Sequence, residues 1–391
     1  MPLKVGLFND SFPPTIDGVA NTVKNYAQVL SDKGCDVTVV TPKYPKVTDN
    51  YNFEVYRYFS INLNKKIGYR AGIPTVVSAG KIASRKLDIL HVHSPFISSI
   101  MAKTISIKPH RPPTVFTYHT KFDVDIDARV KSWPIRKIAR KIVLANIKLA
   151  DEVWVVTQTA AKSLRDLGYT GDYIVMENGT DFPKGKIEKD ELEALNKLFN
   201  ISDDELVFLF VGRMQWYKNI KLIIDSLKEV KNAGISFKMY FVGDGNDKSD
   251  IERYIKEINM DNCISCIGAV YDRSLVRTFF SRANLFLFPS VYDTSGLVVK
   301  EAAACACPSL LIKDSAAAEG VEDGFSGLLA DENIQSCANT IISAVKSEKL
   351  SEIGNNALEH VYLSWDDAVG KAYDRYVKII ETWPKRNKIN I

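Results

Sequence analysis

Asn284-Leu285-Phe286-Leu287-Phe288-Pro289-Ser290-Val291-Tyr292-Asp293-Thr294-Ser295-Gly296-Leu297-Val298-Val299-Lys300-Glu301-Ala302-Ala303 changes its period in the middle, and that change decides the fold. The apolar run up to Phe288, closed by Pro289, suits a buried parallel strand. From Gly296 the pattern turns helical, so a strand, a polar turn and a helix start follow one another. The free N–H groups and positive end of such a helix, preceded by Thr294 and Ser295, form an anion site suited to phosphate. Asp293 stands just before the helix and Glu301 inside it, so the two acids meet different parts of one ligand. At a rise of about 1.5 Å per residue their backbones lie roughly 12 Å apart. A retaining glycosidase needs its carboxyl groups about 5 Å apart, which argues against a hydrolytic pair.

Upstream, Leu206-Val207-Phe208-Leu209-Phe210-Val211 runs into Gly212-Arg213, and Lys218 opens the next helical stretch. The fixed fork of Arg213 and the point charge of Lys218 together suit a diphosphate. Strand-like and helix-like stretches alternate twice along the chain. In the first half the strands read Val5 to Asn9, Val37 to Thr41, Ile89 to His93, Thr114 to His119, Glu152 to Thr157 and Ile174 to Glu177. In the second they read Val207 to Val211, Lys238 to Val242, Ile264 to Gly268, Leu285 to Phe288 and Ser309 to Ile312. A helix from Val19 to Ser31 carries Val19, Val23, Ala27 and Leu30 on one face and stops at Gly34. The pattern predicts an α/β chain of two Rossmann-like, doubly wound domains with ligands beyond the carboxyl ends of the strands. The charged stretch from Phe182 to Asp204 reads as the linker.

With both clusters in hand, the chain resembles the retaining GT-B-fold glycosyltransferases of family four, over nearly its whole length. Asp293 and Glu301 fit that family's acid-x7-acid motif, Arg213 and Lys218 its diphosphate clamp, and Tyr118-His119-Thr120 its histidine turn. Asn9-Asp10-Ser11-Phe12-Pro13-Pro14-Thr15-Ile16-Asp17-Gly18-Val19 is similar to the N-terminal glycine loop. Glu177-Asn178-Gly179-Thr180-Asp181 is similar to the segment before the interdomain linker, and Val242-Gly243-Asp244-Gly245 to the Gly-Asp-Gly turn.

The resemblance implies two domains facing a cleft: residues 1–185 binding the acceptor and 186–365 binding the nucleotide-sugar donor, with a C-terminal helix in 366–391 packed back on the first. It implies catalytic roles for His119, Asp293, Arg213 and Lys218, with His119 and Asp293 at the transferred sugar. It further implies that Glu301 holds the donor ribose, that N–H groups of Ser295, Gly296 and Leu297 receive phosphate, that the backbone near Val270 meets the base, and that Gly18 lets its loop approach the donor. No metal and no cofactor are expected beyond the donor itself. Asp293 replaces the usual glutamate, Ser295 often an aromatic, and Ser315-Ala316-Ala317-Ala318 a glycine pair, so the sugar pocket is walled differently.

The 391 residues are 46% apolar and 25% charged with a net charge of +4, which suits two globular domains and gives no case for nucleic acid. Cys263 and Cys266 lack a second pair at zinc spacing, so Cys35, Cys263, Cys266, Cys305, Cys307 and Cys337 read as buried free thiols. Gly243-Asp244-Gly245 lacks the third glycine of a dinucleotide fingerprint. His91 and His93 flank a strand position and read as structural.

Val298, Val299 and Ala302 to Ala304 leave Glu301 little polar company, so a ligand or a cation is expected to meet it. Lys4 to Phe8 reads as a strand with no leader ahead of it, and no apolar run approaches the ~18 residues of a membrane span. The expected location is cytoplasmic.

Residues 129–148 hold seven basic residues, Arg129, Lys131, Arg136, Lys137, Arg140, Lys141 and Lys148, and no acid. Ile135, Ile138, Ile142 and Leu149 share one side, and the basic side also carries Leu144 and Ile147. That mixture suits either a packed helix with a solvated basic edge or an anionic membrane surface. Lys65, Lys66 and Arg70 beside Ile67 and Tyr69 add a second basic patch. The expected partners are thus a nucleotide-sugar donor, a lipid or cell-envelope glycan acceptor and the cytoplasmic membrane face. A soluble sugar or metabolite acceptor, and a catalytically silent nucleotide-sugar-binding protein, are the alternatives.

Overall fold

The computed structural model describes residues 2–15, 17–64, 69–106, 111–122, 126 and 131–387. They divide into two compact units, Met1–Asn178 with Trp365–Ile391, and Gly179–Ser364.

In the first unit the strands are β1 (Lys4–Phe8), β2 (Asp36–Pro42), β3 (Glu54–Tyr58), β4 (Ser60–Asn64), β5 (Tyr69–Gly72), β6 (Ile89–Val92), β7 (Thr114–Tyr118), β8 (Glu152–Val155) and β9 (Ile174–Val175). Seven of them form one parallel sheet in the order β3-β2-β1-β6-β7-β8-β9, while β4 and β5 pair antiparallel. The central strands are buried along their length, as unbroken apolar runs require of a sheet covered on both faces. β3 escapes a sequence reading because Glu54-Val55-Tyr56-Arg57-Tyr58 is a charged, half-buried edge. The expected helix runs Gly18–Asp32; Asp17 caps it by accepting the Ala20 N–H at 2.7 Å, and Ala20, Val23, Ala27 and Leu30 are fully buried.

The last helix, Trp365–Asn387, packs on this first unit. Tyr376 stacks on the buried Trp154 with ring centroids 5.5 Å apart, and its hydroxyl meets His91 Nδ1 at 2.5 Å. Arg375 Nε donates to Glu152 at 2.9 Å, and Trp383 Nε1 donates to the Arg111 carbonyl at 2.8 Å.

The helix Trp133–Ile147 corrects part of the sequence reading. It buries Val143 and Ile147, whereas Ile135, Ile138 and Ile142 are 57%, 58% and 53% exposed and Trp133 66%. Seen along the axis at about 100° per residue, Ile135, Ile138 and Ile142 share an outer arc whose other edge carries Lys137 and Lys141. The isoleucines therefore form the outward face, and Ile147, read with the basic side, lies inside. Arg129 lies outside the described residues. So do Lys65, Lys66 and Ile67 of the second basic patch, whose Arg70 is committed to Ser60 through Nε at 2.8 Å. Among the described residues no helix is long and apolar enough to cross a membrane.

The second unit has β10 (Val207–Val211), β11 (Lys238–Val242), β12 (Ile264–Gly268), β13 (Leu285–Leu287), β14 (Ser309–Ile312) and β15 (Leu328–Ala330) in a parallel sheet of order β12-β11-β10-β13-β14-β15. Its core is continuous from Phe208 and Phe210 through Phe241, Phe279 and Phe286. The stretch 182–204 is not a free linker. Phe182, Ile187, Leu195 and Ile201 are buried in this unit, the helix Lys189–Phe199 lies within the stretch, and the Phe199 ring packs on Tyr240 and Phe279. The chain passes between units at Asn178 and Gly179, ahead of the expected 185/186 boundary, because Phe182 already packs on Phe280.

Candidate functional site

In the second unit, strand order reverses between β10 and β13, the switch point where open α/β sheets hold their ligands. Phe208 pairs with Leu285 and Leu209 with Phe286, so the loops leaving both strands run side by side. Lys218 Nζ lies 2.7 and 2.8 Å from the two carboxylate oxygens of Asp293, with the side chains 13% and 25% exposed. The rings of Tyr217 and Tyr292 pack 5.0 Å apart, and Asn219 Nδ2 donates to the Pro289 carbonyl at 2.9 Å. Arg213 is exposed and makes no side-chain hydrogen bond or ion pair among the described residues. Two of the expected residues thus meet each other, while the third presents an uncommitted cation.

The Gly-Asp-Gly turn holds this loop from behind. A Cβ on Gly243, whose φ is +148°, would lie 1.8 Å from the Gly212 carbonyl oxygen, and one on Gly245 2.3 Å from that of Met214. Backbone bonds from Met214 to Asp244 at 3.0 Å and from Gly212 to Val242 at 3.0 Å complete the contact. Glycine here serves close packing of backbone on backbone.

The helix Leu297–Ala304 begins at Gly296 in the left-handed region at φ +52°, where a Cβ would come 2.9 Å from Ala317 Cα. Ser295 and Leu297 flank it half-buried; the Val299 N–H donates to the Gly296 carbonyl at 2.8 Å, and those of Leu297 and Val298 have no intrahelical acceptor. Glu301 is 12% exposed, and the cation it meets is Arg273, whose Nη2 donates to Oε1 at 2.8 Å. Arg273 also pairs with Asp181 through Nη2 at 2.5 Å and Nε at 3.3 Å, over the Phe182 ring at 4.3 Å. Burial pushes the Glu301 carboxyl above its usual range against the lowering pull of Arg273. Arg273 and Asp181 are the members that sequence reading missed; a charged first-turn residue and a loop aspartate carry no signal that they meet. Val270 is half-buried just past β12, beside Tyr271, which is 81% exposed. Cys263 and Cys266 are free, as are the other four cysteines, and only Cys305, Cys307 and Cys337 are fully buried.

In the first unit the switch point lies between β1 and β6. Asp10, just past β1, accepts hydrogen bonds from the Ser98 N–H at 2.9 Å, Ser98 Oγ at 2.9 Å and Ser94 Oγ at 2.5 Å. His91, His93 and His119 are all buried, and His93 Nδ1 lies 2.9 Å from His119 Nε2 with the rings stacked at 5.2 Å. One proton serves that contact, so the accepting ring is neutral, and burial disfavours charge on either ring. Gly18 is exposed at the helix start, and a Cβ there would meet nothing within 4 Å. The fold itself places no demand for glycine at that position.

The buried histidines set a pH dependence. Burial pushes His91 and His93 well below the ordinary 6.5, and His119 down to about 3. The unfolded chain then binds more protons than the folded one below pH 6.5. Stability is full above that pH and falls as pH drops, by about 1.4 kcal/mol per unit for each histidine. Asp10 and Glu301, whose carboxyls burial raises, act in the opposite sense above their ordinary 3.8 and 4.5. Three histidines act against two carboxyls once the unfolded imidazoles are mostly protonated, so the urea midpoint should fall from pH 6.5 to pH 5. A midpoint constant over that range would contradict neutral burial of the cluster.

Residues 16–182 match the family described as Glycosyltransferase Family 4, and residues 193–360 match Glycosyl transferases group 1. Among curated proteins, the chain is 25% identical over 366 residues to an alpha-monoglucosyldiacylglycerol synthase of Acholeplasma laidlawii, covering 91% of this chain and 92% of that one. It is 22% identical over 314 residues to an alpha-monoglucosyldiacylglycerol synthase of Streptococcus pneumoniae, covering 78% and 70%. Among solved structures, Anabaena HepE in complex with UDP superposes with a TM-score of 0.76 at 16% identity, over 96% of this chain and 100% of that one. That likeness places the fold among the GT-B structures.

Proposed function

We propose that this chain, which belongs to the family 4, group 1 glycosyltransferases, moves a hexosyl group from a nucleotide-diphosphate sugar to a lipid acceptor at a membrane surface, with retention of configuration. The observation that carries the donor half is the switch-point cluster of the second unit. Lys218 and Asp293 meet across the loops that leave β10 and β13, and Arg213, exposed and uncommitted, stands on the first of those loops. Breaking the bond from the anomeric carbon to the diphosphate oxygen builds negative charge on the leaving group. Arg213, Lys218 and the N–H groups of Ser295, Gly296 and Leu297 take up that charge. The acceptor hydroxyl attacks the same face, and its proton passes to the departing diphosphate. In the second unit Asp293 is assigned to hydroxyls of the transferred sugar, Glu301 to the ribose and the backbone at Val270 to the base; in the first unit His119 is assigned to the transferred sugar and Gly18 to a loop that approaches the donor. UDP bound to HepE and the glucosyl product named for the Acholeplasma relative support a UDP-hexose donor.

The acceptor half is supported by the relatives named for diacylglycerol products and by the outward face of the helix Trp133–Ile147. Exposed isoleucines edged with lysines suit the boundary of an anionic leaflet, where apolar side chains enter and ammonium groups meet phosphate. The protein then works as a peripheral enzyme on the cytoplasmic face. One experiment tests both halves: radiolabelled UDP-glucose, GDP-mannose and ADP-glucose are offered to the protein with diacylglycerol in neutral or anionic vesicles. Label should enter the organic phase from one donor, and faster with anionic vesicles, on which the protein sediments at low salt. Label moving only to soluble sugars overturns the lipid acceptor, and no turnover of any donor favours a silent binding protein.

A further inference from the structure

We propose that Arg273 is a positioning residue for nucleotide binding: it holds one oxygen of Glu301 and leaves the other directed to the donor's vicinal diol. Three separate stretches meet here, the turn at Asp181-Phe182, the first turn of the helix Arg273–Arg282, and the helix Leu297–Ala304. The Arg273 guanidinium is fixed from three sides, by Asp181, by Glu301 and by the Phe182 ring 4.3 Å below it. Only Oε1 of Glu301 is engaged, at 2.8 Å, and Oε2 has no partner among the described residues. A cation in the first turn of a helix works against the macrodipole, so helix stability does not account for its position.

The chemistry of Glu301 explains the need. A carboxylate buried as Glu301 is, with a side chain only 12% exposed, is costly to keep charged, and it accepts the diol hydroxyls best while ionised. The charged and titratable neighbours are few. Asp181 opposes ionisation, Arg273 favours it, and Cys305 one turn along the helix is a buried thiol pushed up to about 11, mainly by burial. Arg277, from the same helix as Arg273, turns its Nη2 to the Gly185 carbonyl at 2.8 Å. Without Arg273, Glu301 would face only burial and the like charge of Asp181, and its proton would be retained toward neutral pH. Binding of the donor would then depend on pH where the wild type does not.

Because this rests on Glu301 meeting the ribose, the test carries a control for that role. Calorimetric titration with UDP-glucose, whose diphosphate carries no group titrating between pH 6.5 and 8.5, is run on the wild type, Glu301→Gln, Arg273→Gln and Arg273→Lys. GDP-mannose and ADP-glucose are run in parallel. The wild type should bind with one affinity across the range. Arg273→Gln should bind about tenfold more weakly at pH 6.5 and recover most of that by pH 8.5, whereas Arg273→Lys stays within about threefold of wild type. One nitrogen serves both acids, so an ammonium can stand in for it. Arg273→Met gives the same reading if the glutamine variant does not fold. An unchanged affinity in Arg273→Gln, or a loss equal at every pH, overturns the positioning role while leaving Glu301 in place. Wild-type affinity in Glu301→Gln, or no binding of any donor to the wild type, removes the ribose role and this inference with it.

Discussion

Replacing Arg213 with alanine should lower turnover about 100- to 1,000-fold while leaving the melting temperature unchanged. That factor is the usual cost of deleting one preorganised donor aimed at developing negative charge. Arg213 is exposed and makes no ion pair or side-chain hydrogen bond among the described residues, so its removal leaves no buried partner behind. Surface changes of that kind stay within about 0.5 kcal/mol of stability. Lys218 would be a poorer test, because it neutralises Asp293 and its loss leaves a carboxylate unpaired. Steady-state kinetics with a melting curve on the same preparation decides the matter. Unaltered turnover, or a variant that melts early, would remove Arg213 from the chemistry.

The second large effect is on stability. Gly243→Ala should destabilise the protein by more than about 4 kcal/mol, the tail reached by forced backbone displacement. The added methyl would sit 1.8 Å from the Gly212 carbonyl oxygen, which is backbone and has no rotamer to escape into. The φ of +148° adds strain for any L side chain. The relief available is to push Gly212-Arg213 outward, so any surviving protein should also lose turnover. A urea midpoint near wild type would mean that the two turns do not approach as closely as described.

Much of the sheet architecture was legible because parallel strands buried on both faces are written as unbroken apolar runs, as in Val207–Val211 and Lys238–Val242. The segments that escaped have weaker signals. Glu54–Tyr58 is an edge strand with charges in it, and Leu328–Ala330 has only three residues to show a pattern. The stretch 182–204 looked like a linker because its charges outnumber its apolar groups. Its fold is set by a few anchors, Phe182, Ile187, Leu195 and Ile201.

At the site, Lys218, Asp293 and Gly296 drew notice because each sits at a change of period between strand and helix, and Glu301 because it is an acid inside an apolar helix. Arg273 and Asp181 were not, since their importance comes from contacts across 92 positions of chain. Burial of Glu301 implied that a cation or ligand must meet it, and Arg273 is that cation. The isoleucines of Trp133–Ile147 show the opposite limit. Periodicity identifies a face but not whether it turns inward.

The helix Trp365–Asn387 also constrains how the molecule is made. Tyr376 fills the place between His91 and Trp154, and Arg375 neutralises Glu152, yet both are translated after the whole of the second unit. While residues 179–364 are still emerging from the ribosome, the first unit stands with its histidine cluster open and Glu152 unpaired. The first unit has all its strands by residue 178 but waits for its last helix until the second unit, continuous in sequence, is complete. Chains ended at residue 364 and released should therefore carry a closed second unit and an unfinished first, reversing the usual order in which domains mature along a chain.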